Sequence, residues 1–296
     1  MPVLNPITPR LSLLLGALCI AFSPIFTKMT GLPGLSSAFY RVAIAFVLFL
    51  PYVLYKRCYI IDLKKLALPL FCGLLFALDL ACWNQSLMIT NTAVATVLGN
   101  LAPVWAGMLL FAFTDYKPTM FYWTGVVIAL VGLIVMIGWG IVSHLAFDRG
   151  STLALMASGF YACYIVVTSR ARLGLSTLTF MFYSMMGYLI SAAVFAVWSG
   201  APLGGFSTYS WIALILLAVV PQLLGWLFVN YALGSLPSTE VSMVLLSQIV
   251  LASLLATVVF KEVLTITEIL GGCIVMLGIA ITYIKPRWSF RKISKV

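Results

Sequence analysis

The chain has 296 residues, of which 63% are hydrophobic and 8% charged, with a mean hydropathy of +1.14. Soluble domains carry about a quarter charged residues, so the composition excludes a water-soluble globular protein and indicates a polytopic membrane protein. The net charge of +10 needs no nucleic-acid partner, because the topology of such a chain accounts for it, as argued below.

Hydropathy separates ten apolar segments, at 11–28, 35–55, 66–88, 92–113, 119–140, 151–170, 176–198, 208–232, 239–260 and 265–284. Each is long enough to cross a hydrocarbon core as a helix. The runs are too continuous for the alternating strands of an outer-membrane barrel. The predicted fold class is therefore an all-α integral membrane protein with ten transmembrane helices.

Arg10 followed by Leu11 to Phe22 has the charge and apolar run of a signal peptide, but no small-residue cleavage pattern follows. The apolar run continues past Ser23 and Pro24 to end at Lys28, and it is read as the first span. In the second span Arg41 lies about two turns from the outer end, where a guanidinium can snorkel to the interface. Anchoring or an internal ion pair is preferred there over substrate binding.

Spans three and four form a polar hairpin. Asp79, Asn84 and Gln85 interrupt the first member, and Thr96, Asn100 and Pro103 the second. An Asp at a helix centre costs about 2.5–3.5 kcal/mol on insertion scales, so such groups should face other helices or a watery cavity. Asp79, Trp83 and Ser86 share one face. A carboxylate beside an aromatic ring suits a cationic or zwitterionic ligand, although an Asp satisfied within helix packing has the same pattern. Thr92, Thr96 and Asn100 make a polar stripe, and Pro103 frees a carbonyl that can line a cavity. The same small residues also serve ordinary helix packing.

Span six carries Tyr161 and Tyr164. Span eight carries Gln222, Trp226 and Asn230 at successive spacings of four after Pro221, a face suited to a polar ligand with one flat apolar part. Interhelical hydrogen bonding explains that face equally well. Span nine has Glu240 near its inner end, expected at the interface with substrate or proton handling as the alternative, and Gln248 deeper. The candidate substrate-binding set is thus Asp79, Trp83, Asn84, Thr96, Asn100, Tyr161, Tyr164, Gln222, Trp226, Asn230 and Gln248.

With a cytoplasmic N-terminus, seven Lys or Arg residues fall in the even-numbered connections and six in the tails, 13 of the 17 in all. The positive-inside rule then puts both termini in the cytoplasm. The basic tail acts as a topology anchor with some attraction to anionic lipid. The six cysteines have no paired metal-ligand spacing, and the single histidine, His144, has no ligand cluster around it. No cofactor or metal is expected.

Sliding the chain by 146 residues brings Asn84 onto Asn230, Thr119 onto Thr265, Gly125 onto Gly271 and Gly132 onto Gly278. Spans one to five then match spans six to ten. A repeat with an odd number of spans enters its second copy from the opposite side, which makes the copies inverted, an architecture of many secondary carriers.

FSPIFTK (Phe22 to Lys28), FYR (Phe39 to Arg41), the run from Thr92 through Pro103 to Gly132, and Leu236 to Ala280 together resemble the drug/metabolite transporter superfamily, specifically its ten-span EamA-like proteins. Lys261 and Glu262 look like that family's acidic link before the last helix, whereas the first-half counterpart is Asp115 and Tyr116, with the acidic residue shifted by one. The resemblance implies two five-helix repeats, at 1–142 and 143–285, with a basic cytoplasmic tail at 286–296. It implies a basket-like bundle whose central cavity is lined mainly by spans 1, 3, 4, 6, 8 and 9. It also implies transport of small metabolites, often export of amino acids or related compounds, across the inner membrane.

An enzyme would need a nucleophile, metal cluster or acid–base pair, and neither GxSxG nor a paired metal motif is present. No filter-like carbonyl motif or charged ring suggests a channel, and P-loop signatures are absent. A secondary carrier in the lipid bilayer remains, as a monomer or homodimer, and proton coupling would make Asp79 the first candidate carrier of the proton. Amino-acid export is the leading expectation. Uptake or exchange of a nucleotide-like metabolite and cationic drug efflux are the alternatives.

Overall fold

The computed structural model describes residues 7–59, 62–138, 148–261 and 263–284; His144, Glu262 and the tail 286–296 lie outside the described residues. The described chain is helical throughout its spans, with no strands. A bilayer demands this, because each spanning segment must satisfy its own backbone N–H and C=O groups. In chain order the helices are α1 (Ile7–Ala21), α2 (Ser23–Thr30), α3 (Gly34–Tyr55), α4 (Ala67–Ile89), α5 (Thr92–Gly99), α6 (Ala102–Phe113) and α7 (Met120–Ile137). The second half supplies α8 (Arg149–Ala171), α9 (Thr177–Trp198), α10 (Thr208–Leu217), α11 (Trp226–Leu233), α12 (Ser238–Leu245), α13 (Ser247–Phe260) and α14 (Ile266–Thr282). Among the described residues nine helical stretches are long and apolar enough to span a membrane, and α14 adds an apolar helix of 17 residues.

Four spans are interrupted internally, three of them at prolines. Pro24 lies in the first turn of α2 and Pro103 in the first turn of α6. Neither residue can donate to the carbonyl four residues back, so the preceding helix stops and a new one starts. Pro221 sits in a π-helical segment, Ala218–Gly225, that joins α10 to α11. The fourth break, at Leu246 between α12 and α13, has no proline. There the Ser247 hydroxyl donates to the Val244 carbonyl at 2.6 Å, the local competition with backbone pairing that bends helices at serine. The offset that superposes Asn84 on Asn230 also carries Asn100, in the α5–α6 break, onto Leu246.

Helices α7 and α14 pack face to face, and their glycines let the two backbones touch. A Cβ added at Gly132 would lie 2.5 Å from the Val275 nitrogen, and one at Gly278 would lie 2.5 Å from the Ala129 nitrogen. Small residues at this spacing are the usual basis of close packing between membrane helices. Gly125 meets the Gly278 carbonyl while Gly132 meets the Gly271 carbonyl. Each helix also starts on a threonine that accepts a backbone N–H at its N-cap, Thr119 for α7 and Thr265 for α14. Replacing Gly132 by Leu is expected to destabilise the protein by about 1–3 kcal/mol through overpacking. Thermal unfolding in detergent would check this, and an unchanged midpoint would rule out the contact as a structural clamp.

Candidate functional site

Between the two halves lies a cavity of about 790 Å³, within the range of about 300–1,000 Å³ typical of small-molecule sites. It reaches the end of the bundle where α2, α4 and α13 finish and α3, α5 and α14 begin, lined there by Lys28, Gly34, Leu87, Thr92, Phe260 and Glu268. Its inner wall carries Arg41, Asp79, Trp83, Asn100, Tyr161 and Gln248, and Trp226 lies at its floor.

The local fold explains how these groups are held. Asn84 donates from Nδ2 to the Gly34 carbonyl at 3.3 Å, and a Cβ at Gly34 would collide with that amide at 2.5 Å. The Trp83 ring lies across Gly99, where an added Cβ would fall 2.1 Å from Cζ3. Thr96 and Asn100 direct donors to their own helix: Thr96 Oγ1 to the Thr92 carbonyl and Asn100 Nδ2 to the Thr96 carbonyl, both at 2.7 Å. Their backbone bonds explain how polar residues persist beside the break. Asp79, Tyr161 and Gln248 differ, because their side chains make no hydrogen bond to another described residue. They leave one carboxylate, one phenol and one amide to the cavity.

The floor is an aromatic cluster. Phe76 packs on Trp226, Tyr164 and Tyr188 with ring centroids 4.6, 5.1 and 5.1 Å away, and Tyr164 meets Trp226 edge-on at 5.2 Å. Beneath it the remaining void is about 10 Å³, room for about one water. The sequence reading expects Tyr164, Gln222 and Asn230 on the site, but they lie in this packed layer and not on the cavity wall. Tyr164 donates to Asn230 Oδ1 at 3.1 Å, and the Arg172 Nε donates to the Asn230 carbonyl at 3.0 Å. Gln222, Trp226 and Asn230 still share one face, as all three line the small void, but that face turns into the packed layer and only Trp226 also reaches the cavity. Gln222 Oε1 is buried with no partner among the described residues.

The opposite end of the bundle is closed. Arg10 Nε pairs with Glu240 Oε1 at 2.8 Å, and the Arg10 guanidinium lies over the Tyr283 ring. Ser12 donates to the Phe228 carbonyl at 2.9 Å, and Ser238 to Ser169 at 2.9 Å. Glu240, expected at the interface, belongs to this closure.

Comparison with known proteins decides the family. The model of the EamA-like transporter family matches residues 9–138 and 148–284. The chain belongs to the EamA-like transporter family. It is 23% identical over 275 residues to the uncharacterized transporter YdfC of Bacillus subtilis (strain 168), covering 93% of this chain and 90% of that one. An uncharacterized transporter of Archaeoglobus fulgidus is 24% identical over 279 residues, covering 92% of this chain and 95% of that protein. A solved crystal structure superposes with a TM-score of 0.78 at 16% identity, over 94% of this chain and 97% of its own, which establishes likeness of fold alone.

As an EamA-like membrane transporter, the protein has one cavity residue that sequence reasoning placed elsewhere. Arg41 does not snorkel. Its side chain is 7% exposed, lines the cavity, and donates from Nη1 to Ser23 Oγ at 3.3 Å. Hydropathy could not separate a helix end near lipid from one near an internal cavity. The second span therefore joins the lining, whereas spans six and eight contribute only Tyr161 and Trp226.

Proposed function

We propose that this transporter is a secondary carrier that exports amino acids or related small metabolites across the inner membrane by alternating access, with ten spans in two inverted five-helix repeats and both termini cytoplasmic. The observation that carries the proposal is a cavity of about 790 Å³, mainly apolar with a few convergent polar groups, that reaches one end of the bundle while side-chain contacts tie the other end. A carrier must present such a site to one side at a time. The reciprocal contact of Gly125 with Gly278 and Gly132 with Gly271 supports the repeat, because two copies related by a two-fold axis contact each other in that crossed pattern. On the positive-inside topology the open end faces outward. Asp79, with Trp83, Tyr161 and Trp226 around the same cavity, suits an ammonium group through charge and ring faces.

Efflux of organic cations is the second reading, favoured by that same carboxylate and aromatic wall. A nucleotide-like substrate would need several cations to neutralise its phosphates, and the wall offers Arg41 and the rim residue Lys28.

Counterflow in proteoliposomes tests the proposal without assuming a driving ion. Vesicles loaded with unlabelled amino acids, nucleosides or organic cations are followed for entry of the labelled counterpart. Saturable exchange of amino acids is the expected result. Exchange confined to cations would select the second reading, and no exchange by folded protein would reject a carrier for these classes.

A further inference from the structure

We propose that Arg41 forms the anion subsite of the cavity and holds the carboxylate of the transported molecule. The inference deepens the carrier reading above and rests on it for the route by which the ligand leaves.

A guanidinium has five N–H donors in a rigid fork and remains charged under all ordinary conditions. In a membrane helix such a group is normally found at the interface, paired with a carboxylate, or bonded to backbone carbonyls. Arg41 has none of these settings. Its side chain is buried, the hydrogen bond to Ser23 is long at 3.3 Å, and Nε is buried without an acceptor among the described residues. A buried charged donor left unsatisfied is costly, and a bound anion would remove that cost.

The carboxylates on the cavity wall do not meet the need. Among the described residues these are Asp79 and Glu268. Glu268 is held at the rim by the capping box of α14, accepting from the Thr265 N–H at 2.7 Å. Asp79 faces the same cavity and attracts Arg41 electrostatically, but makes no ion pair with it within 4 Å. Arg41 is seven residues into α3 and Asp79 ten residues from the end of α4, so they lie about 10 and 15 Å from the open end at the rise of an α-helix. A positive and a negative group, separate and at neighbouring depths, present complementary charges to a zwitterion. The Arg41 fork matches a carboxylate in bidentate geometry, which a lysine would not. Ser23, beside Pro24 at the start of α2, tethers the fork and ties its position to the α1–α2 break.

The test compares molecules that differ only in the anionic group. Amino acids, their amides and their decarboxylated amines, with aromatic, aliphatic and hydroxyl side chains, are measured in counterflow and in direct binding by the fluorescence of the cavity tryptophans. Wild-type protein is expected to prefer each acid over its amide by on the order of 10- to 100-fold, the worth of a hydrogen-bonded charge. Arg41→Gln should erase that preference while continuing to exchange the amide, which also shows that the variant is folded. Arg41→Lys should retain part of the preference, and Ser23→Ala should weaken it without abolishing it. Exchange of acids and amides at the same ratio in wild type and Arg41→Gln would overturn the subsite and leave the carrier standing. Acid-selective, Arg41-dependent binding without exchange would support the subsite and overturn the carrier reading. Failure of every acid both to bind and to exchange would overturn both.

Discussion

Asp79→Asn is expected to lower counterflow of ammonium-bearing substrates by on the order of 100-fold, because about 3 kcal/mol follows from stranding one member of a desolvated charge pair. The substitution preserves shape, and the carboxylate has no hydrogen-bond partner among the described residues to lose. Apart from the lost attraction to Arg41, folding should therefore be little affected, which thermal unfolding would record. The same variant separates two roles for the group. If Asp79 balances the ligand's ammonium, both exchange and gradient-driven accumulation fall. If instead it carries a coupling proton, exchange persists and only accumulation under a proton gradient is lost. Unchanged behaviour in both assays would remove Asp79 from the mechanism.

Tethering the closed end should stop transport completely. In a background lacking the six native cysteines, Arg10→Cys with Glu240→Cys, joined by a short reducible bifunctional reagent, is expected to reduce counterflow to background until the tether is cleaved. The cavity would still accept ligand from its open end, so binding by tryptophan fluorescence should survive. Removing the ion pair alone should do little. Arg10 and Glu240 are 41% and 17% exposed, and exposed pairs contribute about 0–1 kcal/mol. Closure also draws on the Tyr283 ring and the Ser12–Phe228 hydrogen bond. Tethered protein that exchanged at the untethered rate would show that this end need not open, which contradicts alternating access.

Alternating access would also require the interrupted spans to bend. Pro24, Pro103 and Pro221 coincide with three interruptions, whereas Pro51 lies inside the unbroken α3. The fourth, at Leu246, coincides with a serine hydroxyl turned back on its own helix, a bond that Ser158 and Ser242 also make inside unbroken helices. No sequence pattern distinguishes it.

The sequence by itself determined the environment and the class. Long apolar runs leave helices as the only way to satisfy the backbone in lipid, and the ordered motifs from Phe22 to Ala280 led to the EamA-like family. It also singled out Asp79, Trp83, Asn84, Thr96, Asn100, Tyr161, Trp226 and Gln248, all of which the fold places on one cavity. Expensive polar groups in apolar runs are visible residue by residue. Tertiary structure alone decided which polar groups are left to the cavity and which are consumed by packing. Asn84 and Asn230 align at the 146-residue offset, yet Asn84 faces the cavity and Asn230 is buried with Tyr164 and Arg172. In the inverted pair proposed above, equivalent residues would lie toward opposite ends of the bundle, so opening one end and closing the other would give them opposite surroundings. Arg41 is the converse case. Its two-turn distance from a helix end reads as snorkelling in one dimension, and only the neighbouring helices show that the nearest polar space is the cavity.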